Sequence, residues 1–356
     1  MGHALSIGLA LALCAGVAIN ASAPTAALAA EQRYKPPHNR AGQPDLTGNW
    51  SNANLTPLTR EAGFGLRAIY TAAEVKEREG IQAANVEDSN KPIDNTKPLT
   101  GGVVTAHGGV GAVGNEDRQF LDPGSVVMRV HGEARNSLIT TPDGQIPARK
   151  PGAPPAPRRG HGEIAADRSN GLYDNPEQLA IDERCILGLH RSAGPPIFPN
   201  GYYNQNYQIV QGRDAVAINI EMVHDTRIIR LTGGHRTDGL RPYFGDSIGH
   251  YEGDTLVVET TNIPEAQHLY GSWQTLKVTE RFTRVAKDRL LYQFRVEDPT
   301  IWEKPWGGEY EFSTLNGRLM EYACHEGNYG MEGILAGARQ QDAAEATAKK
   351  TAAAPK

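Results

Sequence analysis

The sequence predicts an all-β protein with a few short helices, in which an antiparallel meander forms a barrel or a strongly curved sheet. Strand-length apolar stretches follow one another from Asn206 to Glu326. Short turns such as Gly212-Arg213-Asp214 and Ala286-Lys287-Asp288 separate several of them, which favours antiparallel neighbours. About eight strands are enough to close a sheet, and closure removes exposed strand edges.

Local sequence signals place the individual elements. Trp50 is the aromatic anchor of an expected first strand. Thr71 and Glu74 form a capping box, which predicts a helix from Ala72 to about Glu79 that ends at Gly80. The remaining strands are expected at Tyr207–Gln211, Ala215–Met222, Thr226–Leu231, Thr255–Thr261, Leu276–Val285, Arg289–Glu297, Glu309–Thr314 and Leu319–His325.

The chain is expected to contain a leader, one domain and a tail. Residues 1–30 carry no Asp, Glu, Lys or Arg and end near the cleavage pattern Ala27-Leu28-Ala29, which is typical of a secretory signal peptide. A single β-rich domain is expected over 45–339, with an exposed Pro-rich loop at 147–162. The Ala- and Lys-rich residues 340–356 have no apolar anchors and are expected to be a disordered tail.

Location and partners follow from export and from charge. Export predicts a periplasmic or secreted protein, and no later segment approaches the ~20 apolar residues of a membrane-spanning helix. The net charge of −5, with scattered Lys and Arg, provides no basic stripe for a phosphate backbone, which argues against nucleic acid. The expected partner is a small aromatic or hydrophobic molecule, and a homo-oligomer is compatible with the sequence. No cofactor is predicted.

Cysteine positions predict one disulfide. Removal of the leader takes Cys14 with it and leaves Cys185 and Cys324 in an oxidising compartment. We expect these two to be joined. The alternative is a pair of buried free thiols, because sequence spacing alone does not establish proximity.

A carboxylate on an apolar strand face is the first candidate for chemistry. Leu276, Val278 and Phe282 alternate on one face of an expected strand, and Glu280 lies on the same face. Burial would raise the pKa of this carboxyl group and make it a candidate general acid or base. The alternative is a structural ion pair with a nearby Arg, which is favoured because paired buried carboxylates are commoner than catalytic ones.

The second candidate is the pair His224 and Asp225, at the junction of two expected strands. A carboxylate beside an imidazole can orient it and stabilise its charged form, which is the support that a histidine base needs. Adjacent residues on a strand point apart, so a turn has to bring the two side chains together. The alternative is a turn Asp beside a solvated His.

A third polar cluster runs from Gly245 to Asp254 and contains His250, a further candidate catalytic residue. His325 is the last catalytic candidate, one residue after Cys324. No His-Glu-x-x-His motif or closely spaced His pair is present, so no metal site is predicted. The simpler interpretation of the end of this cluster is a hairpin turn at Glu252-Gly253-Asp254.

Substrate-binding residues are expected near the mouth of the predicted barrel: Tyr203, Asn204, Arg227, Asp246, Tyr251 and Trp306. Aromatic side chains there would stack on an aromatic ring or a sugar. The wider aromatic set comprises Tyr202, Tyr203, Tyr207, Tyr251, Trp273, Trp302, Trp306 and Tyr322. The alternative is that these side chains are ordinary core and rim residues.

Several segments of this chain resemble a widespread group of exported β-rich proteins of acidobacteria and sphingomonads, most of which have no assigned activity. The resemblance covers nearly all of the mature chain. It is carried by Pro44-Asp45-Leu46-Thr47-Gly48-Asn49-Trp50, Asn206-Tyr207-Gln208-Ile209-Val210-Gln211, Glu221–Arg227, Gly245–Val258, Thr279-Glu280-Arg281-Phe282 and Glu321–Asn328.

A weaker resemblance is to the phenylcoumaran γ-formaldehyde lyases of sphingomonad lignin-dimer catabolism, with which no catalytic motif aligns. It implies a cofactor-independent lyase that uses general acid/base chemistry on a small aromatic or hydrophobic alcohol. His224 with Asp225 would then be the base and Glu280 the acid. The alternatives are a non-catalytic β-barrel ligand-binding protein and an envelope interaction protein.

Overall fold

The computed structural model of the chain describes residues 34–89, 103–104, 110–111, 122–157, 173, 175–179, 181–188, 191–192, 194–326 and 329–353. The expected signal peptide, residues 1–30, lies outside the described residues, as do residues 158–162 of the Pro-rich loop.

Within the described residues the chain is mostly β-structure with two α-helices. The elements in chain order are β1 (Gly48–Ser51), α1 (Ala72–Ser89), β2 (Val103–Val104), β3 (Val110–Gly111), β4 (Arg129–Val130), β5 (Glu133–Ala134), β6 (Asn206–Gln211), β7 (Ala215–Ile220), β8 (Thr226–Arg230), β9 (Asp246–Glu252), β10 (Thr255–Thr261), β11 (Lys277–Ala286), β12 (Arg289–Glu297), β13 (Trp306–Thr314) and α2 (Gly330–Ala353).

Nine of these strands form a closed barrel in the order β1-β13-β12-β11-β10-β9-β8-β7-β6, and β1 closes it by pairing with both β13 and β6. An odd number of strands cannot alternate in direction all the way round a closed ring, so one neighbouring pair has to be parallel. That pair is β8 and β9, with Ile229 opposite Ser247. The predicted all-β barrel is confirmed, and its other neighbours are antiparallel.

The barrel interior is a packed core. Inward-facing positions alternate with outward-facing ones along each strand, as the pleat requires. The inward set is dominated by large buried side chains, namely Trp50, Tyr207, Ile209, Val216, Ile218, Leu256, Val258, Phe282, Leu290, Tyr292, Tyr310 and Phe312.

Chain segments close both ends of this core. At the lower end, which carries the β9–β10 turn, Leu46 is buried and the Trp50 indole donates to its carbonyl oxygen over 3.1 Å. At the upper end, which carries the β7–β8 turn, residues 191–192 and 194–200 lie over the interior, and Ile197 and Phe198 are buried. Any site open to a ligand therefore has to lie at the rim or beneath one of these covers.

Strand β9 was not among the predicted strands. Its inward positions include Ser247, which binds a buried polar group, and Gly249, where a Cβ atom would lie 2.8 Å from the Ile229 side chain. Neither residue produces the apolar alternation by which a strand is recognised. The hairpin turn at Glu252-Gly253-Asp254 is confirmed, since it joins β9 to β10.

The predicted strand Leu319–His325 is wrong. This segment contains no strand, and side-chain contacts hold it in place. The Met320 amide donates to the Glu221 carboxylate over 2.8 Å. Pairing of β13 with β1 closes the barrel before this segment, so no free edge remains for it to join.

The helices are longer than the sequence predicts. The capping box is confirmed, because the Thr71 amide donates to the Glu74 carboxylate over 2.7 Å, but α1 continues through Gly80 to Ser89. A single glycine lowers helix stability by only about 1 kcal/mol, which does not end a helix. Helix α2 extends to Ala353 where a disordered tail was expected, since Ala and Lys favour helix even without apolar anchors.

The described part of the Pro-rich loop packs on the barrel more closely than predicted. The Lys150 amide donates to the Ile301 carbonyl oxygen over 2.8 Å, and the Trp302 indole donates to the Pro147 carbonyl oxygen over 3.0 Å. These contacts tie residues 147–157 to the connection between β12 and β13, and several of their side chains are half-buried.

The predicted disulfide is confirmed: Cys185 and Cys324 lie at bonding distance, with 5.8 Å between their Cα atoms. It links the segment before the upper cover to the segment after β13. In the described part of the chain, no helix is long and apolar enough to cross a membrane.

Candidate functional site

A buried ion pair occupies the barrel interior. The Arg227 and Glu280 side chains are 1% and 0% exposed and meet through two hydrogen bonds, one of them 3.0 Å long between Nη1 and Oε1. Arg227 also donates through Nε to Ser247 over 3.1 Å and through Nη2 to Thr260 over 2.9 Å. Glu280 therefore forms the ion pair that was the alternative to a catalytic role, and Arg227 is held inside the core.

Tyrosine hydroxyl groups complete this network. Tyr292 donates to Glu280 over 2.8 Å and accepts from the Ile197 amide over 2.8 Å. Burial, with the nearby Glu280 charge, raises the pKa of Tyr292 well above its usual value, so the hydroxyl stays a donor. Ser247 lies in a Gly-x-Ser-x-Gly sequence, but it sits within β9 rather than on a strand-to-helix turn, so it is not a nucleophile elbow.

A second polar group lies at the upper rim, on the β7–β8 turn. We call it the rim cluster: Tyr203, Asn204, Glu221, His224, Asp225 and Tyr322. Val223 and His224 have positive φ angles of 58° and 44°, which L-residues adopt only at an energetic cost. Such strain collects at functional sites.

Glu221 anchors the rim cluster and was not predicted as a site residue. It is buried, and its carboxylate accepts from the side-chain amides of Asn204 over 2.8 Å and Asn206 over 3.0 Å. It also accepts from the Met320 amide. The signal in the sequence was a lone carboxylate after the alternating apolar positions of β7, with two Asn residues at the start of the paired strand β6.

His224 has a defined tautomer in this arrangement. Its side chain is exposed, and Nδ1 lies 3.2 Å from the Tyr322 carbonyl oxygen. A carbonyl oxygen only accepts, so in the neutral ring Nδ1 carries the proton and Nε2 keeps its lone pair. The Tyr322 carbonyl thus performs the orienting role that the sequence assigned to Asp225.

Asp225 is half-buried beside His224. Its Oδ2 atom accepts from the Gly188 amide over 3.1 Å. Burial raises the pKa of Asp225 from 3.8 to about 7, against the lowering effects of the Gly188 hydrogen bond and of His224. A carboxyl group with this pKa exchanges its proton near neutral pH, as a general acid must.

The disulfide holds both hydrogen-bond partners of this pair. Gly188 follows Cys185 by three residues, and Tyr322 precedes Cys324 by two. The covalent link therefore fixes the two main-chain groups that orient Asp225 and His224.

Aromatic rings flank the rim cluster. Tyr203 stacks on Tyr322 with 6.2 Å between ring centroids and 19° between ring planes, and Tyr202 lies 6.5 Å from Tyr203. Tyr203 and Asn204, two predicted substrate-binding residues, therefore lie beside His224 and Asp225. Asn204 itself binds Glu221.

The structure does not bring the other two catalytic candidates to this site. His250 lies on the outer face of β9, where Nε2 is 3.2 Å from Glu252. His325 is exposed next to Cys324, and it is not among the described hydrogen-bond partners of His224 or Asp225. An outward strand position and a rim position look alike in sequence, because both are polar.

Two predicted substrate-binding residues also have other roles. Asp246 lies at the start of β9 and accepts from Arg230 over 2.8 Å and from His235 over 3.0 Å. Burial favours a higher pKa for Asp246, but hydrogen bonds from the Arg236 amide, Arg230 and His235 lower it overall. Tyr251 is near the lower end, where its hydroxyl accepts from Gln211 over 2.8 Å.

Three members of the wider aromatic set, Tyr207, Trp302 and Trp306, are core residues. Tyr207 donates from the interior to the Ser192 carbonyl oxygen over 2.8 Å. Trp306 packs 5.5 Å from Trp302 between ring centroids, and both are buried. The core interpretation therefore describes these three residues, whereas the tyrosines of the rim cluster are half-buried.

Asp225→Asn is expected to remove a pH dependence of stability. Because the folded protein binds this proton more tightly than the unfolded chain, the protonated side chain stabilises the fold at low pH, and that contribution is lost as pH rises through about 7. Solvent reaches the half-buried carboxyl group and screens its charge, which reduces the effect. We therefore expect the free energy of unfolding of wild type to fall by about 2 kcal/mol relative to that of the variant between about pH 4 and pH 8.

Urea unfolding at a series of pH values measures this difference. Asp214→Asn is the matched control, because Asp214 is exposed in the β6–β7 turn. If wild type and Asp225→Asn lose stability in parallel across this range, Asp225 does not hold its proton as described.

No protein-family model matches this chain, and no curated protein matches it either. Among the residues that the structure describes, no group of three or more His, Cys, Asp and Glu side chains is arranged to hold a metal ion.

Proposed function

We propose that the protein is an exported, cofactor-independent lyase that uses general acid/base chemistry at the rim cluster on a small aromatic alcohol. The observation that carries this proposal is that two proton-transfer groups follow one another on the β7–β8 turn, each oriented by a main-chain group. His224 offers a basic Nε2, and Asp225 has a pKa raised by burial to about 7. An acid/base pair requires one group that accepts a proton and another that donates one.

The reaction would proceed as an elimination. His224 Nε2 takes the hydroxyl proton of a primary alcohol, and the adjacent carbon–carbon bond breaks to release formaldehyde. The electron pair of that bond forms a carbon–carbon double bond as the neighbouring carbon–oxygen ether bond breaks. Protonated Asp225 then supplies a proton to the departing ether oxygen, so Asp225 replaces Glu280 as the proposed acid.

The surroundings of the pair suit an aromatic substrate. Tyr203 and Tyr322 are stacked beside His224, and a half-buried ring can stack on an aromatic ligand. The Tyr322 carbonyl oxygen, 3.2 Å from Nδ1, orients the imidazole of His224. Both features support positioning of the substrate before proton transfer.

The disulfide supports the proposed location. Structural disulfides persist in oxidising compartments, and that between Cys185 and Cys324 fits a periplasmic or secreted protein. The uncharged N-terminal sequence also favours export to a periplasmic or secreted location.

A non-catalytic ligand-binding protein is the second candidate. One observation favours it: the Tyr203 and Tyr322 rings are half-buried at the rim, where they can stack on an aromatic ligand whether or not a reaction follows. In that case the rim tyrosines would bind a ligand, and His224 and Asp225 would only orient it.

Formaldehyde release from a panel of lignin-derived aromatic dimers tests the proposal, with mass spectrometry of the remaining product. We expect one formaldehyde per product molecule, at a rate that a chelator does not change. Binding of a panel member without conversion would favour the ligand-binding protein instead.

A further inference from the structure

Unpartnered buried N–H groups surround one turn at the upper end of the barrel. The turn comprises residues 269–272, closed by main-chain hydrogen bonds of 2.8 and 2.9 Å between Leu269 and Ser272. We call it the Tyr270 turn. Arg149 Nε, Arg191 Nε and Trp306 Nε1 are all buried and have no acceptor in the part of the chain that the structure describes. Buried donors are nearly always paired in native proteins, so each points to a missing partner.

Arg191 is a buried cation without a counter-charge. It is 6% exposed, and its hydrogen bonds run to the main-chain carbonyl oxygens of Pro195, Gln267 and His268. Within the described ranges no carboxylate forms an ion pair with it, and the nearby Glu280 is already paired with Arg227. A buried charge requires compensation, and here it is incomplete.

Arg149 approaches the same turn from the Pro-rich loop. Its guanidinium carbon lies 3.1 Å from the position that a Cβ atom would occupy on Gly271, and its hydrogen bond goes to the Pro154 carbonyl oxygen. Gly271 also has a φ of +88°, so the turn needs glycine for its backbone and for this close approach. Two arginines therefore flank one turn.

Aromatic rings lie close to the Tyr270 turn on its other side. The Tyr270 ring lies 6.3 Å from that of Trp306, and Phe294 lies 6.2 Å from Trp306 on another side. The Arg191 charge acts on the Tyr270 hydroxyl, because it lowers the Tyr270 pKa against the larger raising effect of burial. The Tyr270 side chain is 45% exposed, which places it at the surface above buried donors.

We propose that the Tyr270 turn covers a binding site for a small aromatic carboxylate. The carboxylate accepts hydrogen bonds from Arg191 Nε and Trp306 Nε1, and Arg149 adds a second positive charge. The ligand ring packs against Tyr270 and Trp306, and the exposed Tyr270 side chain moves aside to admit it. Guanidinium and indole N–H groups are suited to carboxylate oxygens, and the rings favour an aromatic ligand.

Asp298, the nearest acid on the adjoining loop, does not fill this role. Its carboxylate accepts from Ser272, from the Thr275 hydroxyl over 2.8 Å and from the Thr300 amide over 2.9 Å. These bonds position the loop that carries the Tyr270 turn and leave Arg149 and Arg191 uncompensated. The inference does not depend on the proposed lyase reaction, because it concerns binding at different residues.

Calorimetric titration of the full mature protein with benzoate tests the proposal, at fixed ionic strength. Benzamide is the neutral analogue and acetate the non-aromatic anion. We expect benzoate to bind at least about tenfold more tightly than either. Trp306→Phe keeps a ring but removes the N–H, and Arg149→Gln removes the second charge; each is expected to weaken benzoate binding by about tenfold or more.

Arg295→Gln is the matched control, because Arg295 is exposed on the outer face of β12 and pairs with Glu297. It should bind benzoate like wild type. Arg191 also holds three carbonyl groups, so the two milder variants carry the test. The proposal is overturned if benzoate does not bind, if benzamide binds equally well, or if neither Trp306→Phe nor Arg149→Gln weakens binding.

Discussion

Glu280→Gln is expected to lower the free energy of unfolding by about 3 to 5 kcal/mol, because it leaves the Arg227 guanidinium buried without a counter-charge. The Arg227 side chain is 1% exposed, so water cannot replace the lost carboxylate. Arg227→Met should have a similar effect, since Glu280 would then retain only the Tyr292 hydroxyl as a donor. Urea unfolding monitored by circular dichroism measures both changes.

An exposed ion pair provides the control for this prediction. Glu252 and Arg281 form a 2.8 Å contact on the barrel surface, with side chains 50% and 40% exposed. Glu252→Gln should therefore change stability by less than about 1 kcal/mol. The double variant Arg227→Met with Glu280→Met should lose less than the sum of the two single variants, because the two groups stabilise each other. Equal effects of Glu280→Gln and Glu252→Gln would contradict the interior ion pair.

Loss of the disulfide is expected to have the second large effect. The bond joins residues 139 positions apart, and in the chain-entropy model a loop of this length stabilises the fold by about 5 kcal/mol. The double variant Cys185→Ser with Cys324→Ser should lose about that much in urea unfolding. The same change frees the segments that carry Gly188 and Tyr322, so the hydrogen bonds to Asp225 and His224 should weaken as well.

The disulfide effect has an internal control. A reductant should destabilise wild type toward the level of the double variant and should leave the double variant unchanged. Formaldehyde release, where the panel identifies a substrate, should fall together with stability only in the forms that lack the bond. A double variant as stable as wild type would show that the link does not constrain the rim.

Much of the barrel is predictable because apolar inward residues alternate with polar outward residues along most of its strands. The predicted strands Thr255–Thr261 and Arg289–Glu297 coincide with β10 and β12, whose inward positions are apolar along nearly their whole length. Strand β9 lacks this alternation, because its inward positions include Ser247 and Gly249. The parallel β8–β9 pair that closes the nine-stranded ring has no local signal, because it follows from the number of strands.

The side chains of the candidate site could be predicted from the sequence, but the main-chain groups that they contact could not. His224 and Asp225 were recognisable as a polar pair between two strands. Their partners, the Tyr322 carbonyl and the Gly188 amide, lie 98 and 37 residues away and are backbone groups that leave no trace in residue type. Likewise, Glu280 was recognisable, but the identity of Arg227 as its partner depends on strand register across the barrel.

The proposed function depends on proton transfer by His224 and Asp225 at the upper rim. Its most direct test is the specificity constant, kcat/KM, for formaldehyde release by His224→Gln and Asp225→Asn, with Asp214→Asn as the folded control. We expect kcat/KM to decrease by a factor of about 10² to 10⁴ in the first two variants and to stay unchanged in the control. Wild-type rates in both His224→Gln and Asp225→Asn would contradict it.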